Sequence, residues 1–350
     1  MEMTFRWYGH DDPVTLEYIR QIPAVKGIVS AVYDIPVGEV WPKERIEKLK
    51  HDVEAHGLKL SVIESVPVHE DIKLGKPKRD YYIENYKQTL HNLGQAGITV
   101  VCYNFMPVFD WTRTNLAHKA PDGSTSLIFE ENVIQKINPL SGEFSLPGWD
   151  SSYTKEELKD VFAAYEDVDE EKLWEHLNYF LQAVIPAAEK AGVKMAIHPD
   201  DPPYNIFGLP RIITCQENLE RFISLYDSPC NGLTMCAGSL GCVRSNDFVK
   251  MLDHFCEKKR VNFVHARNVL LQDGYSFAET AHMSECGSLD MFDLINTLSK
   301  HNYSGPIRPD HGRMIWGETG KPGYGLYDRA LGASYLMGLW EACEKSKKNK

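Results

Sequence analysis

What most constrains this chain is a rhythm. Short β-branched runs alternate with helical patterns eight times along its length, and such alternation marks a parallel sheet whose strands are joined by crossover helices. The strand candidates are TFRWYG (4–9), GIVSAVYD (27–34), LKLSVIES (58–65), GITVVCYNF (97–105), VKMAIHPDD (193–201), NGLTMCAG (231–238), RVNFVHARN (260–268) and GPIRPDHG (305–312). Leu16, Ile19 and Ile22 keep helical spacing after Asp12, which fits an N-cap. Further helices are expected over 42–56, closed by Gly57, and over 80–95, 171–190, closed by Gly192, 215–226, 245–259, 288–301 and 327–345. Eight βα units predict a closed (β/α)8 TIM barrel. A doubly wound sheet would require a glycine-rich phosphate turn after an early strand, and the sequence has none.

The 350 residues would suffice for about two ordinary domains, but single barrels exceed that prior, so one domain over 1–350 is expected. The rhythm breaks once, over 106–170, where turn stretches such as KAPDGSTS (119–126) and NPLSG (138–142) precede the acidic YEDVDEE (165–171). A structureless stretch of that length inside a domain reads as a functional lid or a subunit contact. The DEE at 169–171 is most simply the first turn of the helix that follows, and the basic tail 344–350 is expected to fray.

A formal charge of −11 argues against binding a phosphate backbone, so a small polar substrate is expected and no nucleic acid. No apolar run of about 18 residues is present for a membrane, and the N-terminus lacks a signal-peptide pattern; the expectation is a cytoplasmic protein. Its eight cysteines form no C-x-x-C pair and are expected to stay reduced.

Four successive strand candidates end in a potential metal ligand: His198, Cys236, His265 and Asp310. In a parallel barrel all strand C-termini lie at one face, so the four converge on half of the mouth. Taken singly each has a plainer reading, as a hydrogen-bonded histidine, a buried apolar cysteine or a capping aspartate. Their coincidence on four consecutive strands favours a metal site. Two imidazoles, a thiolate and a carboxylate exclude calcium and suit manganese, iron, cobalt or zinc. A metal that is to bind two oxygens of a small polar substrate needs open coordination positions, which favours Mn2+ or Fe2+. No nucleotide cofactor is expected.

The stretches FRWYG (5–9), LTMCAGSLG (233–241), FVHARN (263–268) and PIRPDHGR (306–313) together resemble the mannonate dehydratase family, and the similarity runs from the first strand through the last helix, insertion included. The resemblance implies a xylose-isomerase-like barrel, a divalent manganese or iron requirement, and dehydration of D-mannonate to 2-dehydro-3-deoxy-D-gluconate in hexuronate catabolism. It also points to His311 as a catalytic residue.

Dehydration of an aldonic acid removes the C2 proton beside a carboxylate and expels the C3 hydroxyl. The first step piles negative charge on oxygens already charged, so cations at the carboxylate are needed. Arg308, Arg313 and Arg267 are assigned to the substrate's carboxylate or hydroxyls as planar forks. Strand alternation places Arg308 on the lumen side with Asp310, where a salt bridge inside the barrel is the other reading. His311 and Tyr324 are expected to be acid and base, in either order; on residue type alone Tyr324 would read as a surface loop aromatic. Asn104 and Asn268 are candidates for substrate hydroxyls, His10, Asp11 and Asp12 close the first strand, and Trp7 and Tyr8 read as barrel filler. Competing readings are a metal-dependent aldose–ketose isomerase, which the thiolate does not fit, and a non-catalytic binder of metal or sugar acid. A homodimer is the expected association.

Overall fold

The computed structural model describes residues 1–140 and 154–348. Residues 141–153 of the expected insertion and the last two residues of the tail lie outside them. Twelve strands occur among the described residues: β1 (Glu2–Arg6), β2 (Gly27–Ser30), β3 (Lys59–Glu64), β4 (Val100–Tyr103), β5 (Asn115–Lys119), β6 (Thr125–Phe129), β7 (Lys194–Ile197), β8 (Asn231–Cys236), β9 (Val261–His265), β10 (Val269–Leu271), β11 (Phe277–Glu279) and β12 (Pro306–Arg308). Eight of them close a parallel barrel in the order β1-β12-β9-β8-β7-β4-β3-β2, which is the (β/α)8 fold. No helix among the described residues is long and apolar enough to cross a membrane.

The crossover helices form because each carries one apolar face. In Glu170–Ala191 the buried side chains include Leu173, Leu177, Phe180, Leu181 and Val184; Asp169 caps its start by accepting from Lys172 N, and Gly192, at φ 68°, ends it. Only glycine adopts that left-handed cap without a Cβ penalty. A small apolar cluster of Val29, Val62, Val100, Cys102, Ala196 and Phe263, drawn from five barrel strands, lies beneath the mouth: Cys102 lines the cavity above it and the Phe263 ring packs edge-on under His265.

Several expectations are corrected. Thr15, not Asp12, caps the first helix; Asp12 instead accepts from the backbone of Tyr8 and Val14 and so fixes the turn after β1. The expected frayed tail is helical through Lys348. The eighth strand ends at Arg308, and Asp310 takes a left-handed φ of 60°, so simple alternation stops before the charged end of PIRPDHGR. The segment 106–170 is not structureless, because β5 and β6 pair antiparallel and join β11 and β10, from the loop after β9, in a four-stranded sheet. The capped helix Lys155–Tyr165 follows.

Candidate active site and metal centre

Barrel register sets the site. Cys236 and Arg308 both pair with His265 across neighbouring strands, which brings the ends of β8, β9 and β12 side by side. His198 follows β7 directly, and donor atoms of His198, Cys236 and His265 lie within 4.8 Å of one another. His198 Nε2 stands 3.2 Å from His265 Nδ1. Asp310 reaches the same group, with Oδ2 3.7 Å from Cys236 Sγ and Oδ1 3.7 Å from His265 Nδ1. The other nitrogen of His198 is 2.7 Å from the Pro199 carbonyl; a carbonyl only accepts, so Nδ1 carries the proton and Nε2 is left bare toward the cluster. Burial pulls His198 down, but Cys236, with Glu64 and Asp110, more than offsets it and takes the imidazole up to about 9, so Nε2 faces surroundings that favour a cation, whether a proton or a metal ion. His265 is held well below its ordinary range by burial and by Arg308, which keeps the imidazole neutral, the form a metal would require. The donor set fits a divalent ion of intermediate softness.

Above the cluster opens a cavity of about 440 Å³, within the range of small-ligand sites. Of the expected residues, Asn104, His198, Arg267, Arg308, Asp310, His311 and Tyr324 line it. Arg313 does not: it is bound to Asp328 and Asp122, at 2.8 and 2.7 Å. Asn268 does not either, since its amide donates to Met283 O and accepts from Leu289 N, at 2.9 and 3.1 Å. His10 points away to Asp52. Trp7 is core, whereas Tyr8, expected as filler, lines the cavity and packs edge-on against Tyr324.

Arg6, Glu64, Asp110 and Lys321 also line the cavity and were missed. Glu64, at the end of β3, carries the same signal as the four candidate ligands, a metal-competent side chain closing a strand. Asp110 lies in the irregular stretch after β4, where no periodicity indicates direction.

His311 Nε2 is 2.7 Å from Tyr324 Oη, and its Nδ1 is 2.9 Å from both oxygens of Glu279. Nδ1 also lies 2.6 Å from Arg267 Nη1, which can only donate, so its neighbours accommodate either tautomer; in the one where Nδ1–H donates to Glu279, Nε2 accepts from the phenol. Burial raises the Tyr324 phenol well above its ordinary range, with Tyr8 adding to it, so it stays protonated. Trp111 also packs edge-on against the imidazole, with ring centroids 5.6 Å apart.

Glu279 belongs to the second sheet, not the barrel. Arg113 bridges Asp201 and Glu279, at 2.8 Å each, and Arg267 bridges the same two carboxylates, at 2.5 and 3.0 Å. All four side chains are at most 2% exposed. The backbone of LTMCAGSLG makes room for this network: a Cβ on Gly238 would sit 1.7 Å from Arg267 Nε. Burial would raise the Glu279 carboxyl, but His311, Arg267 and Arg113 together hold it down at about 2; Asp201 is likewise lowered, by Arg113 and Arg267 against burial.

Two expected results follow from this network. Arg113→Ala leaves two buried carboxylates sharing one guanidinium and destabilises the fold by about 3–5 kcal/mol, read from urea unfolding. Because both carboxyls are depressed in the folded state, the stability they contribute is present above the ordinary carboxylate range and is lost as pH falls from 4.5 towards about 2. Tm measured across that window falls more steeply for the wild type than for Glu279→Gln.

The fold is that of the xylose-isomerase-like barrels, and at its strand ends His198, Cys236 and His265 form a group that could hold a metal ion. A solved xylose isomerase-like TIM barrel protein from Mycobacterium smegmatis in complex with magnesium superposes with a TM-score of 0.55 at 15% identity, covering 94% of this chain and 87% of that one, a likeness of fold alone. Within that class the D-mannonate dehydratase (UxuA) family model matches residues 1–350. The mannonate dehydratase of Streptococcus uberis is 66% identical over 348 residues, 99% of this chain and 100% of the relative. The crystal structure of mannonate dehydratase from Streptococcus suis serotype 2 superposes with a TM-score of 0.93 at 54% identity, covering 99% of this chain and 96% of that one. The chain belongs to the D-mannonate dehydratase family, and is therefore a hydro-lyase of hexuronate catabolism. The isomerase and non-catalytic readings are set aside.

Proposed function

We propose that this cavity converts D-mannonate to 2-dehydro-3-deoxy-D-gluconate with His311 as base, Tyr324 as acid, and Mn2+ or Fe2+ held by His198, Cys236, His265 and Asp310. The observation that carries it is the His311–Tyr324 pair, 2.7 Å apart, in the cavity that the ligand Asp310 also lines. Bound there, the divalent ion would supply positive charge to the substrate carboxylate and neighbouring hydroxyl, where negative charge develops.

The residues do the rest. Arg308 Nε and Nη1 make no hydrogen bond among the described residues, which leaves donors for the substrate carboxylate, and Asn104 offers an amide to a hydroxyl. Arg267 is engaged with Asp201 and Glu279 and its Nη1 also lies 2.6 Å from His311 Nδ1, so it holds the His311–Glu279 pair, while its guanidinium still lines the cavity where a substrate oxygen can reach it. When Tyr324 turns its proton to the C3 hydroxyl, His311 Nε2 is freed to take the C2 proton. The C2–H electron pair becomes the C2=C3 bond, the C3–O bond breaks, and the hydroxyl leaves as water with the Tyr324 proton. His311 returns its proton to the phenolate across the 2.7 Å contact, and the released enol becomes the 2-keto acid. Trp111 and Leu116, from the segment 106–170, line the cavity; we take that segment as the cover that excludes water during the reaction.

The test supplies anaerobic protein, loaded with Mn2+ or Fe2+, with D-mannonate and follows the 2-keto-3-deoxy acid. Product forms with either loaded form; none from fully loaded protein overturns the reading. We further take the chain to work as a cytoplasmic homodimer on this sugar acid, and light scattering of the purified protein checks the dimer.

A further inference from the structure

Glu64 has no part in the chemistry above, yet it ends β3 and lines the cavity at the barrel mouth. Its Oε1 lies 3.4 Å from His265 Nε2 and 3.0 Å from Arg308 Nη2, and its Oε2 lies 3.4 Å from Arg6 Nη1. His265 is fully buried, and its two nitrogens face different neighbours. Nδ1 faces His198 and Asp310, whereas Nε2 faces Glu64 and makes no hydrogen bond among the described residues.

Cys102 Sγ is 3.7 Å from the same Glu64 oxygen, so Glu64, Cys102 and His265 form a second group with donor atoms within 4.8 Å. It has two physical readings, a second ion site or an outer shell of the first. Two considerations decide between them. A neutral imidazole has one bare nitrogen, so a ring that offers Nδ1 to an ion carries its proton on Nε2 and cannot bind a second ion there. Two guanidiniums beside Glu64 also repel a second cation, while they stabilise a carboxylate that accepts a hydrogen bond.

We propose that Glu64 is the outer-shell carboxylate of the metal centre, accepting the Nε2 proton of His265 so that Nδ1 is the bare nitrogen aimed at the ion, with Arg6 and Arg308 holding the carboxylate in place. This rests on the metal reading above. Glu64 acts through His265 and is a positioning residue. A carboxylate partner fixes the ring's tautomer and raises its basicity, whereas a glutamine at 64 can present either its oxygen or its NH2, and the latter enforces the wrong tautomer.

The experiment titrates metal-free protein with Mn2+, reading free ion by electron paramagnetic resonance. The wild type takes up one Mn2+ per chain, and Glu64→Gln takes up one with a Kd about 10–100-fold weaker. Cys102→Ser leaves stoichiometry and Kd unchanged. Circular dichroism checks folding; if Glu64→Gln does not fold, Glu64→Asp, whose carboxylate is drawn back by one methylene, gives the same weakening. An unchanged Kd in the folded Glu64 variant overturns the proposal. So does uptake of two Mn2+ by the wild type that falls to one in Cys102→Ser. If the wild type binds no Mn2+ at all, the metal reading itself fails, which is a different result from a bound ion indifferent to Glu64.

Discussion

His311→Asn lowers kcat for D-mannonate by about 10²–10⁴-fold, the range expected when a positioned acid–base group is removed. Asparagine suits the test because its amide NH2 can still donate to Glu279, whose carboxylate lies 2.9 Å from His311 Nδ1 and would otherwise lose a buried partner. The fold is therefore kept while proton acceptance is removed. Tyr324→Phe has a loss of similar size, because the phenyl ring fills the same space beside Tyr8 but carries no proton for the leaving hydroxyl. The two groups exchange one proton and work as a unit, so the double variant is about as slow as the slower single one; such non-additivity is the signature of residues acting together. Metal content and Tm are measured alongside. Full activity in His311→Asn at normal metal content would remove it from the chemistry, and strictly additive losses would separate the two roles.

Removing the ion has the second large effect. Chelation abolishes turnover, and returning Mn2+ or Fe2+ anaerobically restores it. His198→Ala takes away the bare Nε2 that faces His265 at 3.2 Å and leaves three donors; with several kcal/mol of charge stabilisation at stake, kcat/KM drops by about 10³-fold at a metal concentration that saturates the wild type. The barrel does not depend on the ion for its core, so the chelated protein remains folded. It does gain stability from binding, by about 2.7 kcal/mol at a free ion concentration a hundredfold above Kd, which appears as a higher Tm in the loaded form. A chelated protein with undiminished turnover would sink the metal assignment.

The legible part of the site consists of residues whose direction is set by a barrel strand. His198, Cys236, His265 and Arg308 sit at or next to strand ends, and a closed parallel barrel can place those ends only at one face. Glu64 was equally legible, since a carboxylate ends β3 as visibly as a cysteine ends β8. Past the strand ends the inference weakens for a physical reason. Asp310 turns the chain with a positive φ, so the two-residue alternation that placed Arg308 says nothing of Arg313, and that arginine finds Asp328 instead. Asn268 lies beyond β9 and is claimed by the backbone of 283 and 289.

The amino-acid order alone determined the barrel and the face that carries the candidate metal ligands, because both follow from local periodicity repeated eight times, and each helix or strand reports its own period. It did not determine what orients His311. Glu279 lies in a three-residue strand, too short to show a period, and Arg113 comes from a stretch with no helical or strand rhythm. They meet only because β6 pairs with β11 across some 150 residues of chain, carrying Arg113 and Glu279 onto Asp201 and Arg267. Such pairing is a property of the folded sheet, and the charges it buries are tolerable only together.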